Sequence, residues 1–488
     1  VLQRLDSICQ CLNLMTLKVF CSFFFCGKDF CVKENTKNVL AVLSAAFMSF
    51  VGILTETSLN VTFPTMMKQF GVGLDIIQWT TTGYLLAIAI IMICSSYLNE
   101  SFTARQLFIV ACVGFMIGSV ISAVAPNFPI LLLGRLISAL GAGLSTPLMF
   151  NLVTEVMPRE KWGVYMGIAG LVVAMAPTLG PAFGGITTFY LNWRWIFGFV
   201  TIFAIIVFVA GLFVVGKYHE QTKNSFDWLS FIVLAIAFIT LTLGVNQISN
   251  GFANPLMWIL LIVTAILIWL FVRLSKKSSK KLLDLAVFKQ KAFVYGALAY
   301  FLLQFNNIGI SFVLPNYIQI VGKQTSLVGG LILLSGSIIA GLLNPYFGSL
   351  YDKKGAKLPL YLGGFLMAIS CLLFAIWGLN LTVMMIIIIY GIMMLGHRMS
   401  FSNTLAEALK VEKGALRADA TAVCQTSQQL AGSVGTTILA AIMSIWQKKG
   451  ATSYALATAQ GSQAAFYFTL LMALIILISY WKMFKAEK

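Results

Sequence analysis

Charge is what this sequence has least of. Of 488 residues only 10% are Asp, Glu, Lys or Arg, against about 25% in a soluble domain. That shortage excludes a soluble globular chain. Histidine is scarcer still, with two in the chain, His219 and His397. Of nine cysteines, Cys9, Cys11, Cys21, Cys26 and Cys31 crowd the N-terminal stretch, and the others stand singly in apolar runs. No Cys/His spacing fits a zinc site. Cys94, Cys112, Cys371 and Cys424 read as small buried apolar residues. No metal and no cofactor is expected. A Gly-x-x-x-x-Gly-Lys-Ser/Thr loop for nucleotide phosphates is absent, and so is any nucleophile–base or paired-carboxylate arrangement. An enzyme is not expected.

What the chain has instead is apolar length. It is 59% hydrophobic, with a mean hydropathy of +0.91. From residue 38 onward, fourteen apolar runs are long enough to span a bilayer, the first over 39–61 and the last over 463–484. An even number puts both ends of the bundle on one side. Lys and Arg choose that side: 21 fall on the loops and tail that share the face of the chain ends, and 5 on the opposite loops. The positive-inside rule makes both termini cytoplasmic. The net charge of +17 is thus a topology signal, and no nucleic acid is expected. Residues 1–37 differ from the rest. Their longest apolar run, 19–26, is too short to span, and the segment reads as an N-terminal leader or extension without assigned function.

One run, 163–195, carries an unusual density of small and helix-breaking residues. Gly163 and Gly167, then Gly180 and Gly184, repeat a Gly-x-x-x-Gly spacing that lets another helix backbone approach closely. Pro177 and Pro181 would break a soluble helix; in a membrane, neighbouring helices satisfy the freed groups. Together Pro177, Gly180, Pro181, Gly184 and Gly185 resemble the fifth-helix antiporter motif of the major facilitator superfamily. The following Asn192-Trp193-Arg194-Trp195 is similar to its fourteen-helix drug:proton antiporter branch, the EmrB/QacA-like proteins. Asp227-Trp228, Leu282-Leu283-Asp284-Leu285 and Pro315-Asn316-Tyr317-Ile318-Gln319 match the same branch.

An internal repeat supports this. Gly348 to Lys357, with Asp352, Lys353 and Gly355, resembles the superfamily's Gly-x-x-x-Asp-Arg/Lys-x-Gly-Arg/Lys loop. The equivalent first-half loop is degenerate: Ser96 replaces the first Gly, Glu100 the Asp and Thr103 the second Gly, and Arg105 ends the loop. An acidic residue there can accept hydrogen bonds from helix-start amides or a basic side chain, and so lock one of two orientations. Near the end, the stretch from Gln428 to Gly435 resembles the Arg-Gln-x-Gly-Gly-Ser-x-Gly motif of helix thirteen, with Gln428 in the Arg position. Close helix packing is its inferred role.

Ionisable groups inside spans are costly and are functional candidates by default. Glu56 lies in a segment that resembles the family's first-helix Leu-Asp-x-Thr-x-Val-Asn motif, with Glu for Asp. Arg135 lies in one resembling the fourth-helix Arg-x-x-Gln-Gly-x-Gly. Each sits about five residues from the far end, roughly 7 Å deep at 1.5 Å per residue, which puts the two within reach of one another. They read either as a proton-coupling pair or as a permanent structural ion pair. His397 and Arg398 sit mid-span and match no family motif. With Asn60 they are candidates for lining a cavity, and the pair for binding an anionic group.

The resemblance implies an all-α membrane protein of the major facilitator fold. Six-helix bundles over 38–216 and 292–488 flank two inserted helices and a basic linker over 217–291. It also implies a proton-coupled secondary transporter that exports amphipathic or hydrophobic compounds by alternating access. A dedicated transporter of one metabolite, such as a fatty acid or amino-acid derivative, and a non-transporting receptor stay open as alternatives. The expected partners are a small-molecule substrate, protons and the lipid bilayer of the cell membrane; a membrane-fusion or outer-membrane partner is left unassigned. The charge asymmetry is tested by cysteine labelling from outside intact cells. Reagent should reach Lys448→Cys and fail to reach Lys280→Cys; labelling at 280 overturns the topology.

Overall fold

A computed structural model describes residues 34–216, 218, 226–278, 282–412, 414–448 and 453–486. The expected leader over 1–37 falls almost wholly outside the described residues, as do His219 and Lys280. Among the described residues every regular element is helical. Thirteen single helices are long and apolar enough to cross a membrane. A fourteenth span forms when two helices joined at a 43° bend are counted as one.

The spans are α1 (Glu34–Asn60), α2 (Trp79–Ile93), α3 (Ala104–Val124), α4 (Phe128–Val156), α5 (Trp162–Tyr190), α6 (Arg194–Val214) and α7 (Trp228–Asn246). They continue with α8 (Pro255–Lys277), α9 (Lys291–Ile320), α10 (Ser326–Leu342, bent into Asn344–Lys354), α11 (Lys357–Trp377), α12 (Val383–Lys410), α13 (Ala415–Lys448) and α14 (Tyr454–Ala486). Polar residues in the loops start them. Thr103 and Gln106 form a reciprocal capping box before α3. Asn127, Asp227 and Thr382 accept from backbone amides at the starts of α4, α7 and α12. Pro147, Pro177, Pro181 and Pro315 lie inside helices that run on through them.

Helices α1–α6 pack among themselves, with α1 against α5, α4 and α6, and α3 against α4. Helices α9–α14 do the same, with α9 against α14, α13 and α12. The two sets meet along α5–α10 and α2–α13. The pair α7–α8 leans on α13 through α7. Only 17% of the apolar window of α8 is buried, so most of its Leu, Ile and Trp surface is left for lipid.

Contacts between the halves gather at the face away from the chain ends, here the far face. A Cβ on Gly185 would lie 2.5 Å from the Ser326 carbonyl oxygen, and one on Gly330 would collide with the Pro181 carbonyl. Gln319 Nε2 donates to the Val61 carbonyl at 2.7 Å. Lys448 Nζ pairs with Asp75 Oδ2 at 2.8 Å and also reaches Asn250 beyond α7. Ser433 Oγ donates to the Thr82 carbonyl at 3.2 Å. Toward the terminal face the halves splay. Gly163, Gly167 and Gly170 of α5, and Gly341 and Gly348 of α10, have open space where a Cβ would stand.

The two Gly-x-x-x-Gly pairs therefore part company. Gly180 and Gly184 hold α5 against Thr57 and Ser58 of α1, as the spacing predicts. Gly163 and Gly167 make no helix seam: Tyr165, Met166 and Ala169 pack this end of α5 onto its own half, and the glycines face open space. A Cβ on Gly184 would collide with the Ser58 carbonyl, and backbone gives way poorly. Gly184→Ala should cost about 1–3 kcal/mol by overpacking. Gly167→Ala should be neutral or stabilise by up to about 1 kcal/mol, the helix preference of Ala over Gly. Thermal melting of the two variants in one detergent checks the contrast, and equal melting temperatures would contradict it.

Candidate functional site

The splayed ends enclose a cavity of about 460 Å³ between the halves. Helical periodicity decides who lines it. On α1, Ile53, Glu56, Thr57 and Asn60 recur at one-turn spacing and share a face. On α12 the same rule brings Tyr390, Met394, His397, Arg398 and Phe401 to the wall. Helix α5 contributes Gly167, Gly170, Ala174, Pro177 and Pro181; α13 contributes Gln425, Gln428 and Gln429. All three expected lining residues, Asn60, His397 and Arg398, are there.

Glu56 is the one acidic residue in that wall among the described residues, and it is 4% exposed. No hydrogen bond or ion pair among them occupies its carboxylate. Arg135 lies behind the wall, fully buried. Its Nε donates to the Thr80 carbonyl at 3.1 Å, its guanidinium carbon sits 3.6 Å from the centre of the Tyr84 ring, and its two terminal nitrogens have no acceptor. Tyr84 in turn donates to the Gly52 carbonyl at 3.1 Å. The ion pair weighed for Glu56 and Arg135 is thus absent here, because an aromatic face meets the guanidinium instead. Depth along two helices carries no information about what stands between them.

The remaining motif residues take other places. Ser58 Oγ donates to the Gly180 carbonyl at 2.9 Å, tying the α5 motif to α1. Asp352, Lys353 and Gly355 lie exposed at the terminal face, outside the cavity. Gly355 has φ of +76°, a conformation that favours glycine. Thr103, at the matching first-half position, has φ of −67° and caps α3. That loop closes by a cap and needs no glycine, which accounts for its departure from the motif. Glu100 and Arg105 flank it, and Arg105 is exposed.

Several participants were not singled out from sequence. Tyr300 donates to Gln428 Oε1 at 2.7 Å and stacks on Phe401, with centroids 4.4 Å apart. Asn60 Oδ1 accepts from Thr81 Oγ1 at 3.0 Å. The run Thr80-Thr81-Thr82-Gly83-Tyr84 inside an apolar span was the available signal for the α2 partners. The sequence motif assigns Gln428 and Gln429 to packing alone. Packing holds for Gly432 and Gly435, which abut Ile308 and Phe305 of α9, and Gln428 and Gln429 also face the cavity.

Residues 45–436 match the sequence profile of the Major Facilitator Superfamily. The chain belongs to this superfamily. As a member it is a membrane transporter and not an enzyme. It is 33% identical over 457 residues to the lincomycin resistance protein LmrB of Bacillus subtilis (strain 168), covering 91% of this chain and 95% of that one. It is 25% identical over 404 residues to the multidrug resistance protein B homolog of Mycobacterium tuberculosis (strain ATCC 25618 / H37Rv), covering 82% of this chain and 74% of the relative. The crystal structure of a bacterial homolog of the human lysosomal transporter Spinster, inward-facing and unoccupied, superposes with a TM-score of 0.66. It covers 92% of this chain and 98% of that one at 14% identity, a likeness of fold alone.

The ring over Arg135 generates a stability test. Tyr84→Phe keeps the ring and loses one buried hydrogen bond, a cost of about 1 kcal/mol. Tyr84→Leu also uncovers the guanidinium, for about 2 kcal/mol more. Thermal melting of the two variants checks the order; a Leu variant as stable as the Phe variant would contradict it.

Proposed function

We propose that this superfamily member exports amphipathic or hydrophobic compounds in exchange for protons, by alternating access of the cavity between its halves. The observation that carries the reading is the Glu56 carboxylate, set alone in the wall of that cavity without an ion-pair partner among the described residues. A carboxylate that meets water or substrate first on one side of the membrane and then on the other carries one proton across per cycle. One charge moved through 100 mV is worth about 2.3 kcal/mol, somewhat more than a tenfold gradient at 1.4 kcal/mol per factor of ten. Arg135 acts from behind the wall as a fixed positive charge that biases Glu56. The relatives' names, lincomycin and multidrug resistance, support a drug-like substrate, and 460 Å³ is in the size range of small-molecule sites.

In this reading 38–216 and 292–488 are the moving bundles, and 217–291 is an inserted helix pair with its linker. The Lys/Arg bias makes the splayed face cytoplasmic. Pro177, Gly180, Pro181, Gly184 and Gly185 form the seam about which the bundles turn. The loops of Asp352, Lys353 and Gly355, and of Glu100 and Arg105, close the cytoplasmic side in the opposite conformation.

Proteoliposomes with an imposed pH gradient test the coupling. Glu56→Gln should lower proton-driven drug accumulation at least about a hundredfold, the scale on which losing an essential proton-transfer group is felt. Glu56→Asp should keep part of it, since the carboxylate survives. Drug-induced proton release should vanish in Glu56→Gln and persist in Glu56→Asp. A Glu56→Gln/Arg135→Gln double variant that transports with undiminished proton release would sink the assignment.

A further inference from the structure

We propose that His397 and Arg398 form an oxyanion-binding subsite in the cavity wall. The preferred substrates are then amphiphiles that carry a carboxylate, sulfonate or phosphate beside an aromatic body. The proposal rests on the export reading and names the substrate chemistry of the same cavity. Arg398 sits midway along α12, where a guanidinium stays charged and needs a paired anion. It has none among the described residues. Its Nη2 donates to the Thr178 hydroxyl over a long 3.3 Å, and its Nε has no acceptor. Glu407, the acidic residue on the same helix, is engaged by Tyr351 and Lys410. The one carboxylate in the cavity wall, Glu56, belongs to the opposite half and makes no ion pair with Arg398.

His397 supplies a second, independent observation. It is 3% exposed, lines the cavity, and neither ring nitrogen has a partner. A buried polar side chain left so is costly unless a ligand or water completes it. Two adjacent residues that line the same cavity therefore carry polar nitrogens without partners and one full positive charge. Fixed cationic donors recognise oxyanions by short, charge-assisted hydrogen bonds, which strengthen where water is scarce. The aromatic preference comes from Phe401. Its ring stacks on His397 at 4.9 Å and on Tyr300 at 4.4 Å, and Phe401 lines the cavity beside them. An oxyanion on Nη2 would also displace Thr178, the neighbour of Pro177 in α5. Substrate held by one half would thereby release a contact to the motif helix of the other.

Nε-dansyl-lysine and its methyl ester share a fluorophore and an amine and differ in the carboxylate. Binding to the purified full chain in nanodiscs is read by dansyl fluorescence. The wild type should bind the acid at least about tenfold more tightly than the ester, the scale of one hydrogen bond to a charged group. Arg398→Gln should narrow that ratio to about twofold or less, Arg398→Lys should retain part of it, and His397→Asn should reduce it severalfold. The ratio is internal to each variant, so a partly unfolded preparation does not imitate the effect. Equal binding of acid and ester by the wild type, or an unchanged ratio in Arg398→Gln, overturns the subsite. Proton-driven uptake of the ester by wild-type proteoliposomes, with no preference for the acid, overturns the subsite and leaves the export reading standing. Uptake of neither probe, nor of any cationic drug, removes both.

Discussion

In a bilayer, an apolar side chain gains nothing by exchanging lipid for another helix, so helices hold where their backbones come close. Helix α5 does this on two sides. Gly180 and Gly184 bring it against the backbone of α1, and Gly185 and Pro181 bring it against Ser326 and Gly330 of α10. One helix is thus wedded to its own half and to the other half within two turns. A single methyl group at either contact would force the backbones apart. The rest of the arrangement follows from this seam: α1 is held so that Glu56 faces the gap, and α10 is held at its far end while its bent terminal part swings clear.

On the far face Leu59, Val61 and Phe63 are buried in one apolar cluster with Ile310, Phe312 and Tyr317 of the other half, Phe63 meets Phe312 with ring centroids 5.7 Å apart, and the polar contacts are few. Besides the glycine seam they are the bonds of Ser326 to Gly185, Gln319 to Val61, Ser433 to Thr82 and Lys448 to Asp75. A hydrogen bond is worth about 1 kcal/mol net, and an exposed ion pair less than that. The halves pack within themselves and also meet along two helix pairs, α5–α10 and α2–α13. The pair α7–α8 shares in this closure, because Asn246 accepts from Gln78 and Asn250 from Lys448.

Much of the fold was legible before any coordinates. Among the described residues the fourteen apolar runs correspond to thirteen single helices and one bent pair long and apolar enough to span, and the caps at Asp227 and Asp284 sit where the sequence matched the fourteen-helix branch. The site was legible only in part. Rarity of ionisable groups in apolar spans singles out Glu56, Arg135, His397 and Arg398; Glu56, His397 and Arg398 line the cavity, with Asn60 beside them, and Arg135 lies behind its wall. Tyr84, Tyr300 and Phe401 were passed over, because an aromatic residue in a span looks like any other apolar wall. The first Gly-x-x-x-Gly pair shares the spacing of the second but not its prolines, and a Cβ on either of its glycines would meet open space.

By itself the sequence determined the helices, their number and the identity of the costly charges, since these depend on local hydropathy, turn chemistry and the rarity of ions in lipid. Whether both glycine pairs form seams, whether Glu56 meets Arg135 or open space, and whether Arg398 has a counterion were decided by the tertiary structure. Those answers turn on packing between helices whose contacting residues lie far apart in the chain: Gly184 from Ser58, Arg135 from Tyr84, Thr178 from Arg398. Periodicity along one helix reports which face a residue occupies. It is silent on what a second helix, hundreds of residues away, brings to that face.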